Sequence, residues 1–355
     1  MPKQTIVYAT CSATCEIVTL TLDLVSGKLA ERSRTVVPNG GNQLAGAMPL
    51  GFSNDKRFLY ASLRTPPIQF STYAIDAVTG ALSHLRRTEL GGSPAVMTPD
   101  RAGRFLLAVS YTDDVLTVNR IGGDGAVGET VQIVKTPSHP HGLAVNPANR
   151  LVYVPCMADA VILTYGFDAK SGKLTEKPLM SSPRRPGGGA KLIIYDHQDK
   201  WLYALNEYDA TVDVLTADPK TGELTTIQSV SSLPEDMAGG PERPLPPPRP
   251  GIGAGALLLS PDGSLLFTSD RPTISLSMFG VDSQTGRLTP LATAAGEPIP
   301  RGAAVDPTGK FLLCNGLQSG SIAVYDIDAP KRALRRRSDL KIGPTVDWIE
   351  LISVG

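Results

Sequence analysis

Eight side chains in this sequence could do chemistry together if its elements bring them to one place: His141, Lys191, Glu207, Arg271, Arg301, Arg64, Tyr111 and Asn206. Histidine titrates near neutrality and serves as acid or base. A glutamate can orient it or activate a water. Lysine and arginine hold a carboxylate or phosphate and stabilise an oxyanion. The set fits acid/base work on a small anionic molecule. His141, Glu207, Arg271 and Lys191 are the candidate catalytic groups, and Arg301, Arg64, Tyr111 and Asn206 the candidate substrate-binding groups. His84 and His197 have no such company and read as structural.

Repeats are what would gather them. A turn followed by a short apolar run recurs as SNDKRFLYASLR from Ser53, TPDRAGRFLLAVSY from Thr98, NPANRLVYVPCM from Asn146, DHQDKWLYALNE from Asp196, SPDGSLLFTSDR from Ser260 and DPTGKFLLCNGL from Asp306. The second residues, Asn54, Pro99, Pro147, His197, Pro261 and Pro307, are spaced by 45, 48, 50, 64 and 46. (For TPDRAGRFLLAVSY the second residue is Pro99.) A hairpin phrase interleaves with the first at Ser26, Thr79, Gly123, Ser171, Thr221, Thr285 and Lys331. Short strands repeating at this period predict an all-β, seven-bladed propeller with four antiparallel strands per blade, spanning residues 1–355 as a single domain.

In the unit around His141 the four strands read as GLAVNP, RLVYVPC, AVILTYGFD and LTEKPLM. The chain opens on TIVYAT, which resembles a second strand, and ends on VDWIELISV, which resembles a first. Their pairing would close the ring and remove its open edges. Within each unit, the start of the first strand lies beside the end of the second. Six residues before the landmarks stand Met48, Ser93, His141, Lys191, Gly255 and Arg301; at the second-strand ends stand Arg64, Tyr111, Met157, Glu207, Arg271 and Leu317. Both sets are predicted to ring one mouth of the central channel, a concavity with convergent polar groups.

Composition narrows the partners. The 34 basic and 34 acidic residues balance, which favours neither nucleic acid nor an anionic membrane. No apolar run reaches membrane-spanning length and MPKQTIVYAT lacks a signal-peptide core, so a cytoplasmic location is expected. Cys156 and Cys314 fall within strands as small apolar residues, and Cys11 and Cys15 lack a second ligand pair, so neither metal nor cofactor is expected. The glycine-rich GDGAVGET lacks a following GK[ST] and reads as a hairpin turn, not a phosphate loop. The longest interval holds the proline-rich 233–255 segment, expected to cross over the channel mouth.

GLAVNPANRLVYVP, LYALNEYDATVDVL, LLLSPDGSLLFTSDR and PRGAAVDPTGKFLL, with the SGKL turns, resemble the seven-bladed β-propeller lactonases along essentially the whole chain. That family includes propeller-type 6-phosphogluconolactonase and the fungal carboxymuconate lactonizing enzyme. The resemblance implies that the family's active-site histidine is His141 in PHGLAVNP, its glutamate Glu207 after Asn206, and its arginine Arg271 after Asp270. A further family arginine falls on Lys191, which keeps the charge but loses the bidentate fork.

The function expected is metal-independent hydrolysis of a sugar-acid lactone, with 6-phosphogluconolactone the first candidate. Water would be activated by His141 or Glu207, with Lys191 and Arg271 stabilising the oxyanion. The alternatives are cyclisation of a muconate-type diacid and a non-catalytic binding scaffold; the latter predicts an apolar mouth, against the charged ring inferred here.

Overall fold

A computed structural model describes residues 4–38, 47–234 and 253–355. Most of the proline-rich segment, including all of its prolines from Pro241 to Pro250, lies outside the described residues.

Local chemistry makes the turns. At the first-to-second-strand turns an acidic or amide side chain folds back on the chain: Asp100 Oδ1 accepts from the Arg104 and Phe105 N–H groups at 2.6 and 2.8 Å, Asn146 and Asp196 repeat both bonds, and Asp306 repeats the second, from the Phe311 N–H. At the other hairpins Asp23, Asp76, Asp218 and Asp282 accept backbone N–H bonds from residues two or three further on. Side-chain acceptors of this kind replace the ladder bonds a turn must give up.

The strands so punctuated form seven antiparallel sheets in a ring. Blade 1 is built from 4–36, blade 2 from 50–89, blade 3 from 94–135, blade 4 from 144–183, blade 5 from 190–231, blade 6 from 254–295 and blade 7 from 300–341. The last strand, Val346–Val354, pairs antiparallel with Gln4–Cys11 and becomes the inner strand of blade 1, as expected. The one helical element among the described residues is the 3-10 turn Ser12–Thr14.

Neighbouring blades interlock through the buried faces of their middle strands. One apolar cluster joins Phe105, Leu107 and Val109 of blade 3 to Val152, Val154 and Tyr165 of blade 4, and similar clusters bridge the other seams. Buried tyrosines staple one blade to the next: Tyr8, Tyr60 and Tyr203 hydroxyls donate to the Gly80, Gly125 and Gly286 carbonyls at 2.7, 3.2 and 3.0 Å. Each of those glycines has a positive φ and faces a side chain that a Cβ would strike. All four cysteines are buried.

One expected strand is corrected. The outer strand of blade 4, read as a continuous LTEKPLM, is split into Lys173–Leu174 and Met180–Pro183, both pairing with Val161–Asp168. Pro178 lacks the N–H a continuous ladder would need there.

Candidate active site

The ring of polar residues rests on a repeated irregularity. In blade 5, Ala190 pairs with Asn206 and Leu192 with Leu205, so Lys191 is one residue too many on the inner strand. The same extra residue occurs in blade 3 between Pro94 and Val96, in blade 6 between Ala254 and Leu257, and in blade 7 between Pro300 and Ala303, where Arg301 sits. In blade 1 it is Asp347, between Val346 opposite Cys11 and Trp348 opposite Thr10. In blade 4 the bridge Pro140–Cys156 and the pair Ala144–Tyr153 bracket one extra residue, just after His141 begins. A bulge re-aims the side chain at its apex. In blades 4, 5, 6 and 7 this irregularity accompanies a residue on the inner wall, His141, Lys191, Gly255 and Arg301.

These residues surround a cavity of about 730 Å3 lined by Arg64, Tyr111, His141, Lys191, Glu207, Arg271 and Arg301, with Met157 and Gly255 between them. Blades approach closely here: a Cβ on Gly142 would lie 2.5 Å from the Lys191 carbonyl oxygen, and only glycine lets blades 4 and 5 meet so near His141.

Glu207 is the electrostatic centre of one side. Lys191 Nζ lies 2.9 Å from Glu207 Oε2 and donates to the Ala254 carbonyl at 2.6 Å, while the Arg271 guanidinium pairs with Glu207 Oε1 and its Nε donates to the Gly253 carbonyl at 3.1 Å. Burial pulls the Lys191 ammonium down to about 8; Glu207 opposes that shift and the Arg271 charge reinforces it. His141 is held well below the usual imidazole range, first by burial, then by the charges of Lys191, Arg301 and Arg64. Its Nδ1 is buried with no hydrogen-bond partner. The imidazole is thus neutral near pH 7 and has an unused nitrogen, as a proton acceptor requires.

On the other side, Arg301 Nη1 stands 3.8 Å from Asp347 Oδ1, and Arg64 Nε donates to Ser93 Oγ at 3.1 Å. Asp347 Oδ2 accepts the Ser12 N–H at 3.1 Å, and burial raises its carboxyl to about 6. Tyr111 stacks on His139 at 4.3 Å and meets His141 edge-on at 5.7 Å.

Four expectations change. Asn206 does not line the cavity: its amide donates to Thr211 Oγ1 and Asp213 Oδ2 at 2.9 and 3.2 Å, anchoring the loop after Glu207. The side chain before a cavity residue on a strand points the other way, and Asp270 follows the same rule, binding the Gly253 and Thr273 N–H groups at 2.8 and 3.0 Å. Met48, Ser93 and Leu317 are likewise absent from the cavity wall. Ser93 instead braces Arg64, and Met48 is buried in the seam between blades 1 and 2.

Sequence reasoning missed Asp347, Trp348, Glu350 and His139. The first three belong to VDWIELISV, read only as a closing strand. Its Trp348–Glu350 alternation was the available sign that these two side chains share the channel face. Trp348 Nε1 donates to Glu350 Oε1 at 3.0 Å, and burial raises the Glu350 carboxyl to about 7. Among the described residues no group of three or more His, Cys, Asp or Glu side chains is placed to hold a metal ion, and no helix is long and apolar enough to cross a membrane.

Residues 5–349 match the family described as lactonase, 7-bladed beta-propeller. Curated relatives include the 6-phosphogluconolactonase of Serratia proteamaculans, 30% identical over 86% of this chain and 88% of its own, and that of Xenorhabdus nematophila, 31% identical over 86% and 88%. Among solved structures, the periplasmic gluconolactonase of Pseudomonas aeruginosa superposes with a TM-score of 0.82 at 21% identity, covering 99% of both chains. A Lactobacillus plantarum protein superposes with a TM-score of 0.80 at 21% identity over 99% of each.

Proposed function

The chain belongs to the seven-bladed β-propeller lactonase family, and on that premise we propose that it hydrolyses a sugar-acid lactone, with 6-phosphogluconolactone the first substrate. The observation that carries the reading is the neutral His141 imidazole, its buried Nδ1 unpartnered, in one cavity with the Lys191–Glu207–Arg271 cluster.

His141 is the base. It takes a proton from water as the water oxygen bonds to the lactone carbonyl carbon. The carbonyl π electrons move onto oxygen, and Lys191 and Arg271 stabilise that oxyanion. Collapse of the tetrahedral intermediate breaks the bond to the ring oxygen, which takes the proton back from His141, leaving an open-chain hydroxy acid. Glu207 is clamped between two cations and holds Lys191 and Arg271 in place. A bound anionic substrate adds negative charge near His141 and raises its basicity in the complex.

The names of the curated relatives support the substrate, and the cationic wall supports an anionic one. The test is turnover of 6-phosphogluconolactone, δ-gluconolactone and a carboxymuconate-type diacid, with and without chelator. Lactone hydrolysis insensitive to chelator is expected. Cyclisation of the diacid without lactone hydrolysis would replace this reading with the lactonizing one, and no turnover of any of them would favour a binding scaffold.

A further inference from the structure

The cavity holds four cations, Arg64, Lys191, Arg271 and Arg301, and they are not equally occupied. Lys191 and Arg271 each already give part of their donors to Glu207 and to a backbone carbonyl, and keep the remainder for the oxyanion. Arg64 and Arg301 flank blade 1, across the channel from blades 4 and 5. Among the described residues Arg64 gives a single side-chain hydrogen bond, from Nε to Ser93, which leaves the terminal Nη groups uncommitted. Among the described residues Arg301 forms a single ion pair, to Asp347 at the long distance of 3.8 Å, and that carboxylate already accepts the Ser12 N–H. Each guanidinium carries several donors in a fixed fork suited to phosphate oxygens. Both line the cavity wall half-buried, and burial is the first cause that loosens the proton of each, with the charges of Arg271 and Arg64 adding to it at Arg301. Two carboxylates act on this pair, Asp113 beside Ser93 on Arg64 and Asp347 on both, so what this side of the cavity offers an anion is the uncommitted guanidinium donors.

We propose that Arg64 and Arg301 form the anion anchor that receives the substrate's phosphate, placing the lactone carbonyl toward His141, and so set a preference for phosphorylated over unphosphorylated lactones. Asp347 is the positioning residue between them, holding Arg301 at the bulge. The inference rests on the lactone-hydrolase reading for the identity of the substrate, while the anchor itself can be read without turnover.

The experiment compares kcat/KM for 6-phosphogluconolactone and δ-gluconolactone in wild type, Arg64→Met, Arg301→Met and Arg301→Lys. Losing a hydrogen-bonded charge partner is expected to lower the phosphorylated-over-unphosphorylated ratio roughly 10- to 100-fold in each Met variant, mainly through KM for the phosphorylated substrate. Arg301→Lys keeps a charge beside Asp347, guarding against misfolding, and is expected to recover part of the ratio. Calorimetric titration of 6-phosphogluconate and gluconate into the same proteins reads the same preference without catalysis. An unchanged ratio and unchanged product affinities in folded variants would overturn the anchor, as would a wild type with no preference for the phosphorylated compounds. A wild type that turns over neither lactone, yet binds 6-phosphogluconate in an Arg64- and Arg301-dependent way, overturns the catalytic reading and supports the anchor.

Discussion

At the residue scale the account turns on Lys191. A buried ammonium beside one carboxylate and one guanidinium holds its proton less tightly than a free lysine, with the midpoint near 8. If the protonated form steadies the oxyanion, kcat/KM falls as pH rises through about 8, because Lys191 loses its charge there. Lys191→Arg keeps the charge to far higher pH, so this alkaline limb should move upward or vanish in a pH profile. A limb that stays near 8 in the variant would assign it to another group. Lys191→Ala is expected to lower kcat by a factor on the order of 10² to 10³, the usual loss for one oxyanion donor. A rise in KM alone would instead mark Lys191 as a ground-state contact.

At the element scale, the bulged starts of the inner strands of blades 5 and 7 are what place Lys191 and Arg301. Much of this was legible beforehand: the landmark spacing put His141, Lys191 and Arg301 at equivalent positions, and all three line the cavity. The bulge itself was not, because one extra residue leaves no trace in an apolar run and shows only in the register between two strands. Asn206 was misread for a related reason. Its neighbour Glu207 faces the cavity, and the pleat sends adjacent side chains to opposite faces. Asp347 escaped notice because the last strand has no turn phrase behind it to mark the position. The closing strand also carries a titratable cost. The Glu350 carboxyl has no cation in hydrogen-bonding reach among the described residues, and its folded pKa of about 7 exceeds the ordinary carboxylate value. The folded state therefore binds the proton more tightly, and stability conferred by the neutral form is lost as pH rises from about 4.5 through 7. Glu350→Gln keeps the hydrogen bond from Trp348 without ionising. Its melting temperature should exceed that of wild type at pH 8 by a few degrees and match it near pH 5; an equal gap at both would mean the carboxyl is not burdened by burial.

At the scale of the molecule, the ring is closed by residues from opposite ends of the chain. Val346–Val354 supplies the inner strand of blade 1 and, through Trp348 and Glu350, part of the cavity wall, while Asp347 stands behind it beside Arg301. Fold and site therefore share this element. Deleting 346–354 exposes the edge of Gln4–Cys11 and the apolar side chains that Ile349, Leu351 and Ile352 cover. The truncated protein should lose its cooperative melting transition, and an unchanged melting temperature would refute closure by this strand. The repeat phrases revealed the number of blades and their closure, since both follow from period and from which strand type begins and ends the chain. They could not reveal how the charges pair across blades, since Lys191, Glu207 and Arg271 meet only in three dimensions.

The central claim is that His141 is the base of a lactone hydrolase, and steady-state hydrolysis of 6-phosphogluconolactone by His141→Ala tests it most directly. The variant should fold with a melting temperature within a few degrees of wild type and show kcat lower by roughly 10² to 10⁴, the scale of a lost general acid or base. Wild-type kcat in a folded His141→Ala protein would contradict the account.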